Sequence, residues 1–302
     1  MKYTGLILLL AGLCSIATGQ VPQAKEVPFE LIKNEPVAKV MINGRGPFNM
    51  MLDTGTDPSA IDLATAESIG IRRSTKGQAA SGSGTEKALA YDCKFESVEL
   101  GGLSVRNIDV AAIDLSKLSD KIGIKIDGVL GYSLFKNRVV QFDYPAGVLR
   151  FFDSMPASRS PNAFSTKFRY ADNVLIEGVL VNGVAAVANL DTGSSTSFTI
   201  SPKAIEKLGL SEAAAQGTVK TSVGYNGRSE IREGKVGTIQ VGTITVASPT
   251  VMFMPKGAGY DQSAWDINIG NGFFVNYVVT FDYKNKVVRF ERLEIPSQAS
   301  IV

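Results

Sequence analysis

The sequence predicts an all-β protein made of two copies of one lobe, and three observations lead there: an internal repeat, short apolar runs broken by turn residues, and an Asp-Thr-Gly tripeptide that occurs twice. The segment Asp127 to Phe151 aligns with Asp266 to Phe290 at a constant offset of 139 residues. Within it Asn137, Val139, Val140, Phe142, Asp143, Tyr144, Val148, Arg150 and Phe151 recur as Asn276, Val278, Val279, Phe281, Asp282, Tyr283, Val287, Arg289 and Phe290. Self-similarity at a fixed period marks a duplicated structural unit. Upstream, Ile42-Asn43-Gly44 pairs with Val181-Asn182-Gly183, and Leu52-Asp53-Thr54-Gly55 pairs with Leu190-Asp191-Thr192-Gly193 after a one-residue slip. The unit is therefore nearly a whole lobe: residues 26–155 for the first and 166–293 for the second. A Ser- and Pro-rich linker runs from Ser154 to Ser165 between them, and a loose tail is expected from Glu294 onward.

In chain order, Met1 to Gln20 shows a basic start at Lys2, an apolar stretch from Leu6 to Leu13 and small residues at Ala17 to Gly19, the pattern of a secretory signal peptide. The apolar stretch is too short to span a membrane, for which roughly 18 apolar residues are needed. The protein is accordingly expected to be exported, periplasmic or extracellular, without stable membrane insertion. Lipidation at Cys14 is disfavoured by the bulky Leu13 before it. From there the apolar residues fall in short runs rich in Val, Ile, Phe and Tyr, separated about every eight to twelve residues by Asn-Gly, Gly-Gly and similar turns. Val139–Tyr144 and Val148–Phe151 flank Pro145-Ala146-Gly147, and Val278–Tyr283 and Val287–Phe290 flank Lys284-Asn285-Lys286, so each lobe should end in a hairpin. Few helices are expected, one after each Asp-Thr-Gly loop: Leu63 to Ile69 and Pro202 to Leu208.

Composition narrows the chemistry. The net charge of +2 and the lack of a long basic run give a nucleic-acid surface little support. Histidine is absent, which removes Ser-His-Asp and Cys-His machinery and any two-His zinc site. No Asp-x-Asp-x-Asp-Gly calcium loop occurs, and neither metal nor cofactor is expected. With Cys14 inside the signal segment, the remaining thiol, Cys93, has no intramolecular partner and is expected to be a small buried core residue. Acid–base work falls to carboxylates.

One Asp-Thr-Gly tripeptide would be a weak signal, but here both copies follow an apolar residue at equivalent places in the repeat. Each is also followed, about 75 to 80 positions on, by an apolar–Gly element. Two carboxylates held close cannot both ionise, so one keeps its proton while the other acts as a base. Such a dyad takes a proton from water with one member and polarises a carbonyl with the other, hydrolysing an amide without a covalent intermediate. Thr54 and Thr192 are placed to hydrogen-bond across a pseudo-twofold axis, and Gly55 and Gly193 permit tight turns and close backbone approach.

Both halves resemble the retropepsin-like and pepsin-like aspartic protease superfamily, most closely its bacterial exported members in which two lobes are fused. The resemblance covers nearly all of the chain after the signal segment. It implies two β-barrel lobes related by pseudo-twofold symmetry, a cleft between them, and a catalytic dyad of Asp53 and Asp191 supported by Thr54, Gly55, Thr192 and Gly193. Val129-Leu130-Gly131 and Ile269-Gly270 match the family's element above the loop, with Asn268 a departure, and Gly131-Tyr132 lacks the Gly-Arg-Asn continuation of the retroviral enzymes. The family closes a β-hairpin flap over its substrate. Ser81-Gly82-Ser83-Gly84 falls at the flap position, and Val223-Gly224-Tyr225-Asn226-Gly227 offers a second, so Gly82, Ser83, Gly84, Gly224 and Tyr225 become candidate substrate-binding residues. Asp57 stands where retroviral enzymes carry an Asp that accepts a substrate N–H; the other reading is a solvated turn carboxylate before Pro58.

The implied activity is an aspartic endopeptidase acting on peptide or protein substrates, monomeric because both halves of the dyad lie on one chain. Two other readings stand beside it. One is a non-catalytic module of the cell envelope that binds a peptide or glycan in the same cleft; the other is a structural or transport β-barrel, which leaves the paired loops unexplained.

Overall fold

The computed structural model describes residues 24–80 and 82–293; the expected signal segment with Cys14, and the tail from Glu294, lie outside the described residues. The first lobe begins with strands β1 (Lys25–Ile32), β2 (Glu35–Ile42), β3 (Arg45–Leu52) and β4 (Ser59–Asp62), followed by helix α1 (Leu63–Ser68). It continues through β5 (Gln78–Ala80), β6 (Ala88–Leu100), β7 (Leu103–Ile113), α2 (Ser116–Ile122), β8 (Gly128–Leu130), α3 (Tyr132–Phe135), β9 (Val139–Asp143) and β10 (Val148–Phe152). The second lobe opens with β11 (Phe164–Tyr170), β12 (Val174–Val181), β13 (Val184–Leu190), β14 (Phe198–Ile200), α4 (Pro202–Lys207) and α5 (Ser211–Gln216). Strands β15 (Thr218–Gly224), β16 (Gly227–Lys235), β17 (Thr238–Val241), β18 (Ile244–Ala247), β19 (Thr250–Phe253) and β20 (Ile267–Ile269) come next, and α6 (Asn271–Phe274), β21 (Val278–Asp282) and β22 (Val287–Glu291) complete it.

The fold is mainly β, as expected, with helices α1 and α4 where the sequence put them. Helices α2, α3, α5 and α6 were not anticipated: at four to seven residues they are too short to display a helical hydrophobic period. Asp62 caps α1 by accepting from Thr65 N at 3.1 Å, one of the donors a helix start leaves open.

The two lobes repeat one another in pairing as well as in sequence. In the first, β8 runs parallel to β3 and antiparallel to β4, and β4 runs parallel to β7. In the second, β20 runs parallel to β13 and antiparallel to β14, and β14 parallel to β19. Each Asp-Thr-Gly loop leaves its strand, β3 or β13, at the point where the crossing strand, β8 or β20, lies alongside.

A six-stranded antiparallel sheet in the order β1, β10, β9, β21, β22, β11 joins the lobes, with the two predicted terminal hairpins forming its centre. Val139 pairs with Asp282 and Asp143 with Val278, while Gln141 faces Thr280, its own counterpart in the repeat. The pseudo-twofold axis therefore passes between Gln141 and Thr280, whose side chains are joined by Gln141 Nε2 donating to Thr280 Oγ1 at 2.9 Å. Phe142 and Phe281 meet edge to face at 6.0 Å just off this axis, within a core in which Phe135 and Phe274, also counterparts, are completely buried. Each such ring contributes about 1.5–3 kcal/mol by burial.

The linker is irregular from Asp153 to Ala163, as its composition suggested, but it is firmly held. Arg159 donates to Asp143 Oδ2 at 2.8 Å, Arg159 N to Glu291 Oε1 at 2.6 Å, and Arg289 to Pro156 O at 2.8 Å. Cys93 corrects the sequence reading: on β6 it is half-buried at the edge of the core instead of inside it, because its neighbours alternate towards solvent. Burial and the nearby Asp92 push its thiol up to about 11. Among the described residues no helix is long and apolar enough to cross a membrane.

Candidate active site

Strands β3 and β13 deliver Asp53 and Asp191 to the same place from opposite lobes. Each backbone N–H is fixed by the crossing strand, Asp53 N donating to Leu130 O and Asp191 N to Ile269 O, both at 2.9 Å. Each carboxylate is then aimed by its own loop: Gly55 N donates to Asp53 Oδ1 at 2.7 Å and Gly193 N to Asp191 Oδ1 at 2.9 Å.

Thr54 and Thr192 lock the loops to one another. Thr54 N donates to Thr192 Oγ1 and Thr192 N to Thr54 Oγ1, each at 3.0 Å, and the hydroxyls donate across the interface to Leu190 O and Leu52 O, each at 2.8 Å. Both threonines are completely buried, so all four bonds form away from water, where an unpaired group is expensive.

The glycines are required by distance. A Cβ on Gly193 would stand 2.2 Å from Asp53 Cγ, and one on Gly55 would stand 2.8 Å from Asp191 Oδ1. The two carboxyl groups lie within hydrogen-bonding reach of each other. Burial first, and then the charge of Asp53, hold Asp191 well above the ordinary carboxylate range.

The lobes differ around the pair. On the first side Thr56 Oγ1 donates to Asp53 Oδ2. On the second, Asn268, which occupies the place of Val129, donates to Asp191 Oδ2 at 2.9 Å and is itself oriented by Asn189 Nδ2, 2.6 Å from its Oδ1. Asn271, the counterpart of Tyr132, donates to Thr192 O at 2.7 Å and accepts from the buried hydroxyl of Tyr144 at 2.5 Å. The sequence marked Asn268 only as a departure and gave no sign of Tyr144.

Asp57 is engaged by the other lobe. Its Oδ2 accepts from Tyr170 Oη at 2.9 Å, and the Tyr170 ring stacks on Tyr132 with centroids 3.6 Å apart. Burial raises its carboxyl above the usual range.

Glu35, which sequence reasoning passed over, is another carboxylate in this region. It opens β2 and is completely buried; Oε1 accepts from Lys121 Nζ on α2 at 3.1 Å, whereas Oε2 has no hydrogen-bond partner. The preceding Asn34 ties the turn to the second lobe through Ser195 O at 2.7 Å. Burial drives Glu35 up to about 7 against the opposing pull of Lys121.

The two candidate flaps form a closed bridge between the lobes. Strands β5 and β6 pair as a hairpin whose loop contains Gly82, Ser83 and Gly84, and β15 and β16 pair around the tip Tyr225-Asn226. Asn226 Oδ1 accepts from Gly84 N at 2.6 Å, its Nδ2 donates to Gly84 O at 2.8 Å, and Asn226 O accepts from Glu86 N at 2.9 Å. Ser229 Oγ donates to Ser83 O at 2.9 Å. Among the described residues no three Cys, Asp or Glu side chains gather as a metal-binding group.

A model of the family described as aspartyl protease matches the chain twice, at residues 38–134 and 178–272. Each match spans one Asp-Thr-Gly loop together with the strand that crosses it. No curated protein matches the chain.

Proposed function

The chain belongs to the aspartyl protease family, and from that premise we propose that it is an endopeptidase in which Asp53 and Asp191 work as one unit on a water molecule. The observation that carries this reading is the meeting of the two loops, with their carboxyl groups in hydrogen-bonding reach and Asp191 held above the ordinary range. In the resting enzyme the two carboxyls share one proton, and burial together with the neighbouring Asp53 charge favours it on Asp191. Asp53, whose oxygens accept from Gly55 N and Thr56 Oγ1, takes a proton from the attacking water. Asp191 gives its proton to the scissile carbonyl oxygen as the water adds; the resulting diol then collapses with cleavage of the C–N bond, Asp53 passing the proton it took from water to the leaving nitrogen and Asp191 recovering its own from a diol hydroxyl. Thr54 and Thr192 keep the two carboxyls in register, as a dyad needs to within about half an ångström.

The substrate is a peptide or protein segment lying in the cleft beneath the residue 82–84 loop and the Gly224–Gly227 turn. Because one chain supplies both aspartates, the enzyme is complete as a monomer, and its expected place of work is outside the cytoplasm.

The test is substitution of each carboxylate. Asp53→Asn and Asp191→Asn should each lower kcat by about 10²-fold or more, with the double variant little worse than either single one. Peptide cleavage is followed by mass spectrometry, with circular dichroism as the control for folding. A folded single variant that keeps more than about a tenth of the wild-type kcat removes that residue from the dyad. A wild-type protein that binds a statine peptide and cleaves nothing supports the non-catalytic binding reading.

A further inference from the structure

The tip of the second-lobe hairpin does more than cover the cleft. Tyr225 leaves its own lobe and packs against an apolar cluster of the first, which includes Val37, Met51, Ile113, Leu118, Ile122 and Val129. Met51 and Val129 lie on β3 and β8, the strands that carry Asp53 and fix its N–H, so the cluster adjoins the dyad. Burial there pushes the Tyr225 phenol up to about 12.

Contacts around the hairpin tip keep the ring against this cluster. A Cβ on Gly82 would come within 2.6 Å of Tyr225 Cε1, so the first-lobe loop lies directly against the ring. The Asn226 side chain pairs with both the N–H and the carbonyl of Gly84, as one peptide unit pairs with another. Lys117 of α2, the helix that supplies Leu118 and Ile122 to the cluster, forms an ion pair with Glu86 at the end of the loop.

An aromatic side chain presented at the tip of a hairpin, half-buried against an apolar cluster beside two carboxyls and flanked by an amide that bonds as a peptide unit does, has the chemistry of a bound peptide side chain. We propose that Tyr225 is an intramolecular occupant of this first-lobe pocket, a competitor that a large apolar side chain of the substrate displaces before the scissile bond reaches Asp53 and Asp191. The proposal rests on the protease reading and reverses the sequence expectation for Tyr225, which becomes a rival of the substrate instead of one of its contacts. Release of the ring breaks the Asn226–Gly84 pairing, so pocket and bridge open together.

Two probes test it on the full chain, with Tyr225→Ala, Tyr225→Phe and Asn226→Ala. Fluorescein-labelled pepstatin A, followed by anisotropy, should bind Tyr225→Ala about ten- to a hundredfold more tightly than wild type, the range expected from burying one aromatic side chain. Tyr225→Phe, which keeps the ring, should bind less tightly than Tyr225→Ala, and Asn226→Ala should bind more tightly than wild type. Affinity unchanged or weakened in a folded Tyr225→Ala protein overturns the proposal, the second result showing that Tyr225 contacts the bound ligand.

The second probe does not depend on protease function. 1-Anilinonaphthalene-8-sulfonate should brighten on Tyr225→Ala but not on wild type or Tyr225→Phe, because the vacated pocket is apolar. If no variant binds pepstatin A and none cleaves a peptide, but the dye still separates Tyr225→Ala from Tyr225→Phe, the plug stands and the protease reading fails. If the dye treats all the proteins alike, the plug is refuted whatever the chain cleaves.

Discussion

Replacing Glu35 by Gln should change how the stability of the protein depends on pH, by an amount set by its surroundings. Its carboxyl is fully buried, Lys121 partners only one of its oxygens, and its pKa is raised from 4.5 to about 7. A folded-state value above the unfolded one means that the native protein holds this proton more tightly. The contribution to stability is therefore fully present below about pH 4.5 and is lost as the pH climbs through about 7. At about 1.36 kcal/mol per pH unit, the whole swing comes to about 3 kcal/mol. Glutamine keeps the shape and carries no titrating proton, so Glu35→Gln should gain about 3 kcal/mol relative to wild type between about pH 4 and pH 8. Asp191, also raised, titrates in both proteins and cancels in the difference. Urea unfolding of the two proteins in parallel, read by the fluorescence of the single tryptophan, Trp265, and by circular dichroism, measures it. A constant offset between the two stability curves across that range would refute the reasoning, for it would mean that Glu35 binds its proton no more tightly in the native state than in the unfolded one.

Thr54→Val removes a hydroxyl that donates to Leu190 O and accepts from Thr192 N; with both groups left unpaired in the core, unfolding in urea should show a loss of about 2–4 kcal/mol. Thr54→Ser should recover most of it, and a Val variant as stable as wild type contradicts the role given to the cross-lobe bonds. Gly193→Ala drives a methyl group into the Asp53 carboxyl, so kcat should fall by about a hundredfold through misplacement while the protein stays folded; steady-state kinetics showing a wild-type kcat argue against this geometry.

Much of the fold was legible because it is written locally. The terminal hairpins announce themselves by β-rich runs around short turns, and the repeat carries the first lobe's reading over to the second. The crossing strands β8 and β20 were recognisable only as apolar–Gly elements. Their parallel pairing with β3 and β13 joins segments far apart in the chain, and no periodicity reports it. The same limit applied at the site. The aspartates, threonines and glycines sit in a contiguous motif that occurs twice. Asn226 looked like an ordinary turn residue, since its partner Gly84 is 142 positions away. Glu35 follows a turn, where a carboxylate normally faces water, and nothing nearby in sequence signals that Lys121 covers it.

Symmetry gives the Gln141–Thr280 pair a meaning beyond packing. In a dimer of identical chains, a residue on the twofold axis must meet its own copy, so a hydrogen bond between unlike residues there cannot form. Fusing the lobes lifted that restriction, and the sequence has since diverged along the axis itself: Gln opposite Thr in the sheet, Val129 against Asn268 beside the aspartates. A first lobe expressed alone would have to set Gln141 against Gln141 and would lose the donor that Asn268 supplies. For the same reason the cleft now has distinguishable ends, so a peptide entering N-terminus first and one entering C-terminus first meet different surfaces.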